Sequence, residues 1–225
     1  MPAAARLATA SFDGTATIWD ARTGDRTTTL AHPRPLGVAF SPDGTQLATS
    51  GDDEVVRVWD VASEREFHAF SGHTNSIFGI TYSPDGTRLA TASLDGTFKV
   101  WNVSTGREEM TIAAHPGGVQ DVTFSPDGTR IASSGDDGTA RLWDAATGIE
   151  ILSLVGDPAS VTNVAFIGDG TYLMAAGNDR TIGWIRIYTR RTTSSCGSRV
   201  SDSREGSPMR NADSTSMWRR VHSPG

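Results

Sequence analysis

Ser83-Pro-Asp-Gly-Thr87 is the sequence that decides the fold, because it recurs at a fixed interval. SPDGT is also found at residues 41–45 and 125–129, and a diverged copy, IGDGT, occupies residues 167–171. Four tryptophans, each followed by Asp or Asn, keep nearly the same period, with separations of 40, 42 and 42 residues: Trp19, Trp59, Trp101 and Trp143. A period of roughly 40–45 residues predicts a repeat protein built from one supersecondary unit per repeat.

The repeat at residues 73–114 shows the strand content of one unit. Residues 77–82 alternate apolar with small or polar side chains and run into the SPDG turn, which reads as a strand followed by a tight turn. Three further strand-like segments follow at 89–93, 97–101 and 108–113. No segment keeps apolar residues at helical spacing for long enough to predict a helix. The pattern therefore predicts an all-β fold with four antiparallel strands per repeat.

These motifs resemble those of the WD-repeat family of β-propeller proteins, and a bacterial member is expected. The resemblance covers roughly residues 5–187. It implies four-stranded blades packed face to face around an axis. It also implies that each blade holds a hydrogen-bonded tetrad of His, Ser or Thr, Asp and Trp. The second unit would supply His32, Thr49, Asp53 and Trp59, the third His73, Thr91, Asp95 and Trp101, and the fourth His115, Ser133, Asp137 and Trp143.

The outer units depart from this tetrad pattern. The first has Thr9, Asp13 and Trp19 but no His. The fifth has Asp157 in place of the His, and its Trp184 comes one position early, with Ile185 at the expected place. Within the second unit, His32 lies one residue closer to its Trp because the Pro-Arg-Pro loop is a residue shorter.

A His, a hydroxyl and an Asp in one unit also match the parts of a hydrolase triad. Because the set recurs with each repeat, we expect a structural role, in which buried polar groups satisfy one another. No enzyme, cofactor or metal site is predicted. The single Cys196 cannot form an internal disulfide, and the Asp-Gly turns at Asp43, Asp85 and Asp127 lack the closely spaced oxygen ligands of a calcium loop.

The charge distribution bears on partners. Residues 1–185 hold 12 basic and 23 acidic residues, so the acidic body is not expected to bind nucleic acid. No apolar run approaches the roughly 18 residues that span a bilayer, and the first residues lack the regions of a signal peptide. A cytoplasmic location without membrane binding is therefore expected.

The expected function is a non-catalytic scaffold that binds other proteins through rim loops. The resemblance places the fourth-to-first and second-to-third strand loops on the rim that family members commonly use. An exposed Phe and Leu beside an acidic pair would suit a partner with apolar and basic groups, although ordinary turn residues would give the same pattern. The candidate contact residues are Phe12, Asp52, Leu94, Asp136 and Asn178. The alternative is a regulatory or sensor part of a larger bacterial signalling protein, a kinase or NTPase with C-terminal WD repeats.

The repeat units are predicted near residues 1–31, 32–72, 73–114, 115–156 and 157–188, with three, four, four, four and three strands. About four and a half to five repeats could close as a small ring, dimerise, or stay an open arc that self-associates through exposed blade edges. Residues 5–11 match the segment that follows SPDGT in other units, so the chain is expected to begin inside a repeat array.

Residues 189–225 are rich in Arg and Ser without periodicity, which predicts a disordered tail. Residues 186–225 carry 8 Arg against 3 acidic residues, so this end could bind nucleic acid or membrane. A third interpretation is a frameshift: some codon choices for residues 196–218, read two nucleotides out of phase, encode a segment resembling the tail of bacterial WD-repeat proteins. The genomic DNA would decide this.

Overall fold

The computed structural model describes residues 5–155, 160–178 and 182–186; within 182–186 the description covers the backbone and Gly183. These residues form 18 strands, grouped in five antiparallel sheets that we call blades 1 to 5. In these ranges no helix is long and apolar enough to cross a membrane. The predicted tail and Asp157 lie outside the described residues.

The strands follow one another without crossovers. Blade 1 consists of β1 (Arg6–Ser11), β2 (Thr15–Asp20) and β3 (Arg26–Ala31); blade 2 of β4 (Pro35–Phe40), β5 (Gln46–Gly51), β6 (Val55–Asp60) and β7 (Arg65–Ser71); blade 3 of β8 (Ile77–Tyr82), β9 (Arg88–Ser93), β10 (Thr97–Asn102) and β11 (Glu108–Ala113); blade 4 of β12 (Val119–Phe124), β13 (Arg130–Gly135), β14 (Thr139–Asp144) and β15 (Glu150–Val155); and blade 5 of β16 (Val161–Ile167), β17 (Tyr172–Gly177) and β18 (Ile182–Arg186). The predicted fold class, all-β with four-stranded antiparallel blades, is confirmed.

The SPDGT segment forms the turn between the first and second strands of a blade. In blade 4 the Ser125 hydroxyl donates to Asp127 Oδ1 at 2.6 Å, and the backbone N–H of Thr129 donates to the same oxygen at 3.0 Å. Gly128 takes a φ of +69°, a conformation that costs glycine little. These contacts tie the turn to itself and fix the register of the two strands it joins.

The hydrophobic core lies between blades rather than within one. We call the side of a blade that carries the Trp its back face, which packs on the preceding blade, and the opposite side its forward face. Phe70 on the forward face of blade 2 stacks on Trp101 of blade 3 with ring centroids 5.6 Å apart. Phe98 of blade 3 meets the edge of Trp143 of blade 4 at 5.5 Å. Each blade therefore needs a neighbour to bury its apolar side chains.

The first strands of blades 2 to 5 lie side by side, nearest the axis. β4 packs on β8, β8 on β12 and β12 on β16, and β1 of the first blade packs on β4. Blades 1 and 5 do not meet in the described part of the chain, so the five blades form an open arc. Of the three predicted arrangements, the structure shows the incomplete ring.

Candidate functional site

In blades 3 and 4 a chain of hydrogen bonds joins the four tetrad side chains. In blade 3 the indole N–H of Trp101 donates to Thr91 Oγ1 at 2.9 Å, and Thr91 Oγ1 lies 2.9 Å from His73 Nε2. His73 Nδ1 lies 2.8 Å from Asp95 Oδ2. Blade 4 repeats the pattern over distances of 2.9, 2.7 and 2.9 Å, through Trp143, Ser133, His115 and Asp137.

Blade 2 makes the same chain with the imidazole turned over. Trp59 donates to Thr49 Oγ1 at 2.9 Å, but this hydroxyl contacts Nδ1 of His32 at 2.7 Å instead of Nε2. Nε2 of His32 then faces Asp53 Oδ1 at 3.0 Å. The loop before this blade is one residue shorter, and the exchanged ring nitrogens still reach both partners.

The protonation states of His and Asp determine which group donates and which accepts in each tetrad. Burial lowers the pKa of His73 and outweighs the hydrogen bond to Asp95 that would raise it, so the imidazole is neutral. Burial acts to raise the pKa of Asp95, but hydrogen bonds from Thr97 and His73 outweigh burial and hold it below its usual range. Because a carboxylate only accepts, the ring N–H faces Asp95, and the Thr91 hydroxyl donates to the other ring nitrogen. Each polar side chain of this tetrad is therefore paired.

The end blades lack the complete chain. In blade 1, Trp19 donates to Thr9 Oγ1 at 2.9 Å, but the first unit has no His that could continue the series of hydrogen bonds. In blade 5 the strand register pairs Leu173 with Ile185, which puts Ile185 at the Trp position. Ala175, paired with Val164 as Thr91 is paired with Ile80, occupies the hydroxyl position and is buried. Ala175 could have been found from its distance of ten residues before Ile185.

The geometry of the tetrads does not offer an active site. Thr49, Thr91 and Ser133 are 0% exposed, so no substrate can reach these hydroxyls in this conformation. Over the described ranges no group of three or more His, Cys, Asp or Glu side chains is placed to hold a metal ion. The tetrads of blades 2 to 4 connect the back faces of these blades to the loops at one rim of the arc.

Backbone hydrogen bonds bring two kinds of loop together at this rim, which we call the tetrad rim. The N–H of Leu94, in the second-to-third strand turn, donates to the carbonyl of Ser76 at 3.0 Å. Asp136 N–H donates to the Gly118 carbonyl at 3.1 Å, and Asn178 N–H to that of Ser160 at 3.1 Å. The opposite rim carries the SPDGT turns.

The acidic pair expected to face a partner is instead engaged between blades. Asp52 accepts a hydrogen bond from Ser76 of blade 3 and forms an ion pair with Arg34. Asp136 Oδ1 accepts from Ser160 of blade 5 at 3.0 Å and from Gln120 at 2.8 Å. Each of these carboxylates therefore links its blade to the following one, and their expected contact with a partner stays a prediction.

Leu94 holds the equivalent position in blade 3 and is only partly exposed. It packs over Gly118 of blade 4, where a Cβ would stand 2.9 Å from Leu94 Cδ2. Leu94 was expected to be an exposed anchor, and the glycine opposite it explains the difference. Asn178 is exposed, and Phe12 is exposed as well, with 71% of its surface accessible.

Sequence reasoning missed Arg34, which stands beside Phe12. Its guanidinium carbon lies 5.8 Å from the centroid of the Phe12 ring, and its side chain is 63% exposed. Arg34 has a φ of +48°, unusual for a residue with a Cβ, and it sits between two prolines. The Pro-Arg-Pro sequence could have indicated this conformation. Because each proline fixes its own φ angle, the backbone bend of the loop falls on Arg34.

One further carboxyl group joins two blades away from the rim. Asp121, at a bulge in β12, accepts from the backbone N–H of Val122 at 2.9 Å and from that of Val164 in blade 5 at 3.0 Å. Burial raises the pKa of Asp121 to about 6, although both hydrogen bonds act to lower it. Blades 2 and 3 have Gly37 and Gly79 at this bulge.

Comparison with protein families gives four matches to one model, described as WD domain, G-beta repeat. They cover residues 24–60, 64–102, 106–144 and 148–183, which is more than half of the chain. Each match begins just before the last strand of one blade and ends in or at the third strand of the next. One family repeat therefore supplies strands to two neighbouring blades and links them covalently.

Three relatives match shorter segments. Serine-threonine kinase receptor-associated protein from Gallus gallus is 42% identical over 76 residues, 33% of this chain and 22% of that protein. The WD repeat-containing protein WDS homolog from Arabidopsis thaliana is 42% identical over 77 residues, 32% of this chain and 14% of its own length. The probable serine/threonine-protein kinase PkwA from Thermomonospora curvata is 50% identical over 40 residues, 18% of this chain and 5% of the kinase.

The chain thus covers about a fifth of the first relative and less of the other two. Relatives from an animal, a plant and a bacterium do not support the expected bacterial source.

Proposed function

This chain belongs to the WD40-repeat family, and from that premise we propose that it is a non-catalytic scaffold that binds another protein through its tetrad rim. The WD repeats generally mediate protein–protein interaction, and the fold here supplies a rigid support for loops.

The cluster of Phe12 and Arg34 supports the proposal most directly. A Phe ring that is 71% exposed and an Arg side chain that is 63% exposed lie in contact on one rim. Aromatic and Arg side chains are the types that most often dominate interface energies. Asp52 already pairs with Arg34, so the surface offers an apolar ring edged by a balanced ion pair. A partner with an apolar anchor and neutral hydrogen-bonding groups fits this surface better than the partner with apolar and basic groups expected from the sequence.

The opposite rim lacks a comparable cluster in the described residues. The side chains of its SPDGT turns form hydrogen bonds within the turn, as Ser125, Asp127 and Thr129 do in blade 4. Phe67, at 52% exposure, lines a cavity together with Ser41, Pro42 and Asp43 of one of these turns. It therefore provides a matched control for Phe12.

The second candidate is a regulatory or sensor role within a larger signalling protein. The identity of 50% to a probable protein kinase over 40 residues favours it over other multidomain arrangements. Sequencing the genomic locus distinguishes the two: an in-frame kinase or NTPase domain upstream supports the second candidate, and its absence leaves the scaffold.

Affinity capture from the native host tests the binding role. The tagged full chain is compared with a Phe12→Ala, Arg34→Ala double variant and with Phe67→Ala. We expect the double variant to bind the captured protein at least about thirtyfold more weakly, because two anchors worth at least about 1 kcal/mol each together contribute about 2 kcal/mol or more. Phe67→Ala should retain it. Equal capture by all three would refute the tetrad rim as the binding surface.

A further inference from the structure

The back face of blade 1 exposes positions that are buried in every other blade. Leu7 pairs in register with Trp19, and the residues paired with the Trp position in blades 2 to 5 are at most 1% exposed, whereas Leu7 is 56% exposed. Those four equivalents are Leu47, Leu89, Ile131 and Leu173. Thr9 is exposed, although the equivalent Thr91 is fully buried. Blade 1 therefore presents an apolar face of the kind that normally packs on a preceding blade.

The forward face of blade 5 lies at the other end of the arc. Met174 follows Leu173 and holds the forward-face position that is alanine in blades 2 to 4. Those alanines, Ala48, Ala90 and Ala132, are 0% exposed, while Met174 is only partly buried. The register also places Trp184 opposite Met174, at the position that is Val58, Val100 or Leu142 in blades 2 to 4. Two large apolar residues thus occupy register positions in blade 5 that smaller apolar residues occupy in blades 2 to 4.

The arc itself shows what covers a back face. At each junction between neighbouring blades, apolar forward-face side chains of one blade pack with back-face side chains of the next. Leu30 of blade 1 with Trp59 of blade 2 is one such pair, and Leu142 of blade 4 with Leu173 of blade 5 is another. The same pairing at all four junctions makes a forward face the fitting cover for the exposed back face.

We propose that copies of this chain associate head to tail, with the back face of blade 1 in one copy covering the forward face of blade 5 in the next. The contact is heterologous, since two different surfaces meet, so its repetition builds a larger ring or an open-ended assembly. It is independent of the tetrad rim, and it differs from edge pairing because side chains rather than strand backbones hold it.

Light scattering during size-exclusion chromatography of the full chain tests the association. We expect a mass above that of one chain, 23.9 kDa, rising over a concentration range of about a hundredfold. Leu7→Arg and Met174→Lys each remove one of the two surfaces, so each variant alone should run as a single chain. Phe67→Arg, an exposed apolar position away from both end faces, should associate like the unmodified chain.

Mixing the two variants is the decisive step. The Leu7→Arg chain keeps its forward face and the Met174→Lys chain keeps its back face, so an equimolar mixture should form a two-chain complex. If Met174→Lys fails to fold by circular dichroism, Leu7→Arg added to the unmodified chain should cap assemblies and lower their mean mass. A single-chain mass at all concentrations, or association that persists in either variant alone, as backbone edge pairing would give, overturns the proposal. So does a mixture that stays as single chains.

Discussion

The hydroxyl of Thr91 offers the sharpest test of how the blades are held. Val has nearly the shape of Thr, so Thr91→Val removes the hydrogen bonds without opening a cavity. It leaves the Trp101 N–H and His73 Nε2 without their partner, and Thr91 itself is 0% exposed, so water does not replace it. At about 1–3 kcal/mol for each unsatisfied buried group, the expected loss in free energy of unfolding is about 2–6 kcal/mol.

Thr9→Val in blade 1 is the matched control. Thr9 accepts the same indole hydrogen bond at 2.9 Å, but it is exposed and has no His to bind. Water can take over its role, so the expected loss is below about 1 kcal/mol. Urea unfolding followed by circular dichroism measures both variants. Equal losses for Thr91→Val and Thr9→Val, or a loss below about 1 kcal/mol for Thr91→Val, would refute the claim that buried polar chains hold the blades.

Three further predictions concern the turn at Glu54, the carboxyl group of Asp121 and the tetrad histidines. Glu54→Gly should raise the free energy of unfolding by about 0.5–1 kcal/mol, because Glu54 has a φ of +65° at a turn position where blade 3 has Gly96; a lower unfolding midpoint would contradict this. Asp121 has a raised pKa in the folded chain, so the stability gained from its protonation is fully present below about pH 4 and is lost as pH rises through about 6. Urea unfolding at several pH values should therefore show the chain losing roughly 1–3 kcal/mol between pH 4 and 7 relative to Asp121→Asn, and a constant difference would contradict the buried carboxyl. In the Asp121→Asn background, calorimetry in two buffers near pH 6 should show proton uptake on unfolding, because burial lowers the pKa of His73 and His115 and unfolding restores it; net proton release would contradict neutral imidazoles.

The strands of this fold were predictable because each is specified locally. The SPDGT turn, the Trp one residue before the end of the third strand and the alternating apolar residues all act within one repeat of about 42 residues, so the period reveals them. The position of Ile185 opposite Leu173 follows from the same count. The open arc was one of three arrangements left by the sequence, since whether the end blades meet depends on the geometry of packing.

The rim was less predictable because its contacts join different repeats. Ser76 lies 24 residues after Asp52, in the loop of the next blade, and nothing in the period indicates that their side chains meet. Leu94 was expected to be exposed because the sequence does not show that Gly118 leaves room for it. The position of Arg34 beside Phe12 likewise depends on the backbone bend between two prolines.

Hydrogen–deuterium exchange of the full chain, alone and with the protein captured from its host, tests the claim of a tetrad-rim scaffold most directly. The account predicts that binding slows exchange in the loops around residues 11–14, 32–36 and 74–76, while the SPDGT turns at 41–45, 83–87 and 125–129 exchange at unchanged rates. Protection confined to the SPDGT turns would contradict it.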